Sequence, residues 1–211
     1  MPDRRLIVLG ASGHSKVVVA TAQALGIEIA AILDDDSSKW GCTVLGHRVT
    51  GPITAATTAA GPGMLIAIGS GENRERIAMR LAGPWMSLVH PAAWVHESVA
   101  IGEGSVICAL AGVQPDSVLG RHVIVNTAAT VDHECVIGDF THLAPGVHLA
   151  GEVRIGRRCL IGVGASIAPG IAIGDDAVVG AGAAVIENVP AGATVIGVPA
   201  RRLTNPSTTP G

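Results

Sequence analysis

The sequence predicts two units in series, an α/β domain of Rossmann-like βαβ order followed by an all-β coil of parallel strands. Three observations carry this. Strand-like and helix-like segments alternate over the first 88 residues, and an aliphatic residue then recurs at every sixth position from Val95 to Val185. Aromatic residues make up only 2% of a 211-residue chain that is 48% hydrophobic. A large core without rings requires a geometry that stacks aliphatic side chains.

The first element is the apolar run of residues 4–9, RRLIVL, short and closed by Gly10, as expected of a buried strand. The turn Gly10-Ala11-Ser12-Gly13-His14-Ser15-Lys16 leads into VVVATAQALG, a helix expected to end at Gly26. IEIAAILDDD gives a second strand with Asp34, Asp35 and Asp36 at its end, and MLIAIGSGENRERIAMRL gives a third strand and a second helix. WMSLVHP then leads into the repeat. The βαβ order implies a parallel sheet with binding groups at the carboxyl ends of its strands. The glycine turn presents backbone N–H groups and a helix N-terminus where a phosphate can sit, and Asp34 or Asp35 is spaced to meet a ribose or base. Gly10, Ser12 and Ser15 occupy the three glycine positions of the dinucleotide fingerprint, which disfavours a dehydrogenase.

The repeat fills sixteen consecutive slots, Val95 to Val185, with valine, isoleucine or leucine. Neither a 3.6-residue helix nor an alternating strand produces strict recurrence at six. A coil with three flat faces of six residues does, each turn taking eighteen residues. The aliphatic points inward from each face. The residue four further on, as in Ser105, Ala111, Ser117, Ala129, Cys135, Thr141 and Ala165, is small or β-branched and tucks near a corner. Five turns at the usual strand spacing make a column roughly 24 Å tall.

This repeat resembles the hexapeptide-repeat acyltransferases, which fold as a left-handed parallel β-helix and usually assemble as homotrimers. Combined with the GASGHSK turn, the whole chain resembles the bacterial nucleotide-sugar acetyltransferases that modify amino sugars, and sialic acid O-acetyltransferases share the layout. The expected organisation is a nucleotide-sugar-binding domain over 1–88, a β-helix acetyltransferase domain over 89–203 and a flexible tail over 204–211. The resemblance implies that Gly10, Ser12, Gly13 and His14 hold the diphosphate and that Asp34 and Asp35 face the base.

Polar residues are concentrated in Val131–Gly146, VDHECVIGDFTHLAPG. His133 follows the inward Val131 by two residues and so projects outward. Eighteen residues on, Gly151 is its stacked neighbour, expected to leave an opening for a thioester. Acyl transfer from acetyl-CoA to an amine or hydroxyl needs a base of near-neutral pKa, and histidine meets that need. The resemblance assigns His133 as the base, Glu134 as its partner and Asn126 and His142 as nearby site residues. Asn126 falls on the sugar side and His142 on the acetyl-CoA side, and the Gly151 N–H donates to the acetyl carbonyl. In the C-terminal GVPARR run, Arg201 and Arg202 suit the phosphates of CoA, or else form a basic cap that protects the sheet edge.

Other classes fit less well. A formal net charge of -3 with no basic run excludes nucleic acid as an expected partner. The apolar run after Arg4 and Arg5 is too short for a signal peptide and no run reaches a membrane span, so a cytoplasmic location is expected. Cys42, Cys108, Cys135 and Cys159 lack CxxC spacing and read as unpaired thiols. No two histidines lie five apart, against the metal-dependent γ-carbonic anhydrases that share the column, and no metal is expected. A non-catalytic sugar-nucleotide sensor is a further alternative. Within the acetyltransferases, N-transfer to the 4-amino group of a UDP-, dTDP- or GDP-linked amino-dideoxy sugar is preferred over O-transfer, because a nucleotide-type domain is attached.

Overall fold

A computed structural model of the chain describes residues 5–56 and 61–203; the expected tail lies outside the described residues. The first domain contains β1 (Arg5–Leu9), α1 (Gly13–Ala24), β2 (Glu28–Leu33), β3 (Thr43–Val44), β4 (His47–Gly51), β5 (Gly63–Ile66) and α2 (Gly71–Arg80). Its sheet runs β3-β4-β2-β1-β5. The pairs β1–β2, β1–β5 and β2–β4 are parallel, as the βαβ pattern requires. Only β3 is antiparallel, paired with β4 across Leu45 and Gly46, both at positive φ. Positive φ at both loop residues is the geometry that follows strand twist, yet Leu-Gly lacks the usual Asn-Gly signal, so this hairpin is not legible in the sequence.

The helical column begins at Leu88–Val89 and has three faces. The first carries Val106–Ile107, Ile124–Val125, His142–Leu143, Leu160–Ile161 and Val178–Val179 in parallel register. The second runs from Trp94–Val95 to Ala184–Val185 and the third from Ala100–Ile101 to Ala172–Ile173. Partners are eighteen residues apart on the three faces, as in Thr130↔His148 and Val136↔Arg154, until the last coil of the first face, where Val178 pairs with Thr194. The inward residues form one core from Ile107 to Val195.

The corner residues do more than fit. Ser105, Ser117 and Thr141 each donate a hydroxyl to a carbonyl fifteen residues on (Gly120, Asp132, Gly156) and accept the N–H eighteen residues on (Val123, Cys135, Cys159). A small hydroxyl therefore satisfies a buried corner that an aliphatic side chain would leave unpaired.

The first domain covers the first face. Leu88, Val106 and Ile124, which point away from the column axis, share a core with Leu6, Val8, Val18, Val19 and Leu65. Burying each such aliphatic contributes about 2 kcal/mol, which joins the two domains through a continuous apolar layer. No helix among the described residues is long and apolar enough to cross a membrane.

Candidate active site

The expected site residues fall into two groups, on different corners of the column. The first group gathers where the glycine turn meets the first face. Gly10 has φ +108, and a Cβ there would lie 2.7 Å from Ile68 Cγ1, so glycine is required twice over. Ser12 is the N-cap of α1, with its hydroxyl free of any capping bond and no acid in the first turn. The Gly13 and His14 N–H groups have no acceptor among the described residues. That leaves a helix N-terminus of unpaired donors, suited to an anion.

Asp34 is spent on this turn. Its Oδ2 accepts from Ala11 N at 2.7 Å and from Lys39 Nζ at 3.0 Å, and its Oδ1 accepts from Asp36 N at 2.9 Å. Burial works to raise its pKa, but the Asp36 N–H, Lys39 and the Ala11 N–H together hold it below its ordinary value of 3.8. Asp34→Asn is therefore expected to destabilise the protein near neutral pH. The difference should shrink as pH falls below 3.8 through the depressed folded value, as read by thermal unfolding across pH. Asp35 is exposed, and accepts from Ile53 N at 2.9 Å and Arg80 Nη1 at 3.1 Å.

His14 lies with its ring centroid 6.0 Å from that of His142. Its buried Nε2 has no hydrogen-bond partner. His142 has both nitrogens engaged: Nδ1–H donates to Gly69 O at 3.2 Å, and Nε2 accepts from Asn126 Nδ2 at 3.1 Å. The Asn126 Oδ1 accepts from Thr127 N, which fixes the amide orientation. Desolvation, together with the nearby Arg74 cation, pushes both imidazoles down to about 4, so both are neutral at physiological pH. His142 thus belongs with Asn126 and the glycine turn rather than beside His133.

The second group sits at the corner between the second and third faces. His133 is exposed, and its Nδ1 lies 2.9 Å from Glu134 Oε2. Its backbone N–H donates to Asp132 Oδ1 at 2.8 Å, and its carbonyl accepts from Glu152 N at 2.9 Å. Glu134 has φ 58, but so do its counterparts Asp116 and Glu152 to within a few degrees; this strain belongs to the coil and not to the chemistry. The Glu134 hydrogen bond raises the His133 pKa, desolvation opposes it, and the charges of Asp132, Glu134 and Glu152 add to the rise. With Nδ1–H donated to a carboxylate, Nε2 is left as the basic nitrogen.

Gly151 stacks on His133 as the repeat predicts, with one difference. A Cβ at Gly151 would lie 2.5 Å from His133 Cε1 and 2.6 Å from Nε2, so the imidazole itself fills the space expected to stay open. The Gly151 N–H has no acceptor among the described residues.

The sequence reading missed a groove of about 510 Å³ on the third face, lined by Val136, Arg154, Ala172 and the 188–191 segment. Its lining begins at Val136, three residues along the chain from His133. The outward slots at eighteen-residue spacing, Val136, Arg154 and Ala172, would have located it. Arg201 and Arg202 form an exposed strand antiparallel to Thr194–Ile196, at the end of the column. They line a smaller cavity of about 120 Å³ that shares Asn188, Val189 and Pro190 with the groove. They therefore cap the sheet edge and also flank the far end of the groove. Among the described residues, no three His, Cys, Asp or Glu side chains are grouped to hold a metal ion.

Comparison with known proteins agrees with this layout. Residues 5–81 match the PglD N-terminal domain, residues 134–168 the bacterial transferase hexapeptide (six repeats), and residues 152–186 the hexapeptide repeat of succinyl-transferase. The acetyltransferase domain of PglB from Neisseria gonorrhoeae, solved also with acetyl coenzyme A, is 40% identical with a TM-score of 0.89, over 95% of this chain and 100% of that one. PerB from Caulobacter crescentus, in complex with CoA and GDP-perosamine, is 34% identical with a TM-score of 0.87, over 94% and 97% of the two chains. UDP-N-acetylbacillosamine N-acetyltransferase of Bacillus subtilis is 37% identical over 116 residues, 50% of this chain and 52% of that protein. The curated relatives are matched over only 23% to 52% of their lengths. With identity of 34% to 40% sustained over 94% or more of the chain and nearly all of both solved relatives, the chain belongs to the sugar N-acetyltransferases of the hexapeptide-repeat, left-handed β-helix superfamily.

Proposed function

We propose that this chain transfers the acetyl group of acetyl-CoA to the 4-amino group of a nucleotide-linked amino-dideoxy sugar, in the cytoplasm and for surface glycan assembly. The observation that carries this reading is the His133–Glu134 pair beneath Gly151. Nε2 of His133 takes the proton that the amine sheds as its nitrogen attacks the thioester carbon. The Gly151 N–H meets the oxygen of the tetrahedral intermediate. The C–S bond then breaks, and the proton held on Nε2 passes to the departing CoA sulfur. The pantetheine arm lies in the third-face groove, with Arg201 and Arg202 near the CoA phosphates. The diphosphate of the sugar nucleotide lies on Gly10, Ser12, Gly13 and His14, with Asp35 toward the base, Asp34 ordering the turn, and Asn126 and His142 toward the sugar.

In one chain the glycine turn and His133 occupy different corners, so a site using both needs two copies. We infer a homotrimer whose clefts pair the sugar-nucleotide domain of one protomer with His133 of its partner. Light scattering at micromolar concentration is expected to return three times the chain mass, and a monomer retaining full activity would refute the shared site. Thiol release from acetyl-CoA is expected with one of UDP-, dTDP- or GDP-linked 4-amino sugars. Release with free sialic acid alone would move the chain to O-acetylation, and absence of release with every substrate would favour a binding protein.

A further inference from the structure

Arg74 sits mid-way along α2, three residues before Ile77 and on the same buried stripe. It is 1% exposed, and all its hydrogen-bond partners are backbone carbonyls. Nε donates to His122 O at 3.0 Å. Nη1 donates to Ile68 O at 2.9 Å and to Gly69 O at 2.8 Å, and Nη2 to Thr141 O at 3.2 Å and to Phe140 O. A guanidinium carries five N–H donors in a fixed plane, and here five bonds use them. Two carbonyls belong to the loop after β5 and three to successive coils of the column, so one side chain ties the two domains backbone to backbone. Charge-assisted bonds of this kind are about twice as strong as neutral ones, and they work against a burial that pulls the Arg74 pKa down to about 9.

Two of these carbonyls lead into the site. Gly69 O also accepts the Nδ1–H of His142, which leaves Nε2 as the acceptor of the Asn126 amide. The side chain of Ile68 lies where a Cβ on Gly10 would sit, so the same loop backs the glycine turn. The route from Arg74 to both halves of the first site group is therefore a single residue long on each branch.

We propose that Arg74 is a positioning residue for the nucleotide-sugar cleft. By gripping the 68–69 loop and the carbonyls of His122, Phe140 and Thr141, it holds the glycine turn at one spacing from the Asn126–His142 pair and fixes the His142 tautomer. This rests on the amino-sugar reading for its kinetic consequence but not for its structural one. Lysine preserves the charge but lacks the planar fork, so it cannot reach carbonyls of both domains together.

The test compares wild type with Arg74→Lys and with Arg74→Ala plus millimolar guanidinium, using steady-state kinetics and nitrogen-15 spectra of the histidine side chains. Loss of a charged hydrogen bond predicts that Arg74→Lys raises KM for the sugar nucleotide by about 10- to 100-fold, with KM for acetyl-CoA and kcat nearly unchanged. The His142 spectrum is expected to pass from a single Nδ1–H tautomer to a mixture, and guanidinium is expected to restore both readouts in Arg74→Ala. An unaltered His142 tautomer in folded Arg74→Lys would overturn the proposal, as would a rise in both KM values with no rescue, the pattern of a mere structural brace. If wild type acetylates no amino sugar, the proposed function fails while the tautomer measurement still decides the role of Arg74.

Discussion

His133→Ala is expected to lower kcat by about 10²- to 10⁴-fold, the usual contribution of a positioned general base, and to leave thermal unfolding unchanged. The stability half of the expectation follows from exposure: the side chain is 53% accessible and packs on no core residue, so its loss opens no cavity. Glu134→Gln supplies a finer measurement. Only the neutral imidazole accepts a proton, so kcat/KM rises with pH through the His133 pKa, which the Glu134 hydrogen bond raises. Removing the carboxylate charge lowers that pKa, and the acid limb of the profile is expected to move to lower pH. The plateau should fall at the same time, because the imidazolium formed during transfer loses its counter-charge. A profile that keeps its acid limb in place would show that the titrating base is another group.

The sequence revealed what depends on local period and concealed what depends on distant contact. Once Val131 is inward, the outward direction of His133 and its contact with Gly151 follow by counting, because the coil returns every eighteen residues without insertion. The same counting locates the corner hydroxyls of Ser105, Ser117 and Thr141. It fails for His142, whose place is decided by Gly69, 73 residues away in the other domain. Arg74 was hidden for a similar reason: GENRERIAMR reads as a charged surface helix, and its carbonyl partners His122 and Thr141 lie 48 and 67 residues away. Its spacing of three from Ile77 was the one available signal, since such residues share a helix face. Asp34 was expected to face the base, but two strand-end backbone donors and Lys39 reach its carboxylate first, a competition that no linear pattern encodes.

A pair of glycine substitutions separates the catalytic use of the column from its construction. Gly138 and Gly151 both follow inward aliphatics by one or two residues and both pack against the adjacent coil. At Gly138 a Cβ would stand 2.6 Å from Gly156 C, 2.7 Å from its O and 2.8 Å from Arg157 N, all backbone atoms held by the parallel ladder. Nothing there can rotate away, so Gly138→Ala must push adjacent coils away from each other. Overpacking of this kind costs about 1–3 kcal/mol, a loss of roughly 2–12 °C in Tm for a chain of this size. At Gly151 the obstacle is the His133 ring, an exposed side chain free to swing on χ1. Gly151 is itself buried, but the nearest atoms a Cβ would meet all belong to a side chain that can turn toward solvent. Gly151→Ala is therefore expected to lower Tm less than Gly138→Ala does. Its kcat should still approach that of His133→Ala, because the base is driven off its position by more than an ångström. Differential scanning calorimetry beside thiol-release kinetics reads both. A Gly151→Ala protein with normal kcat would mean that His133 reaches its working position from elsewhere, and the stacked geometry would lose its place in the mechanism.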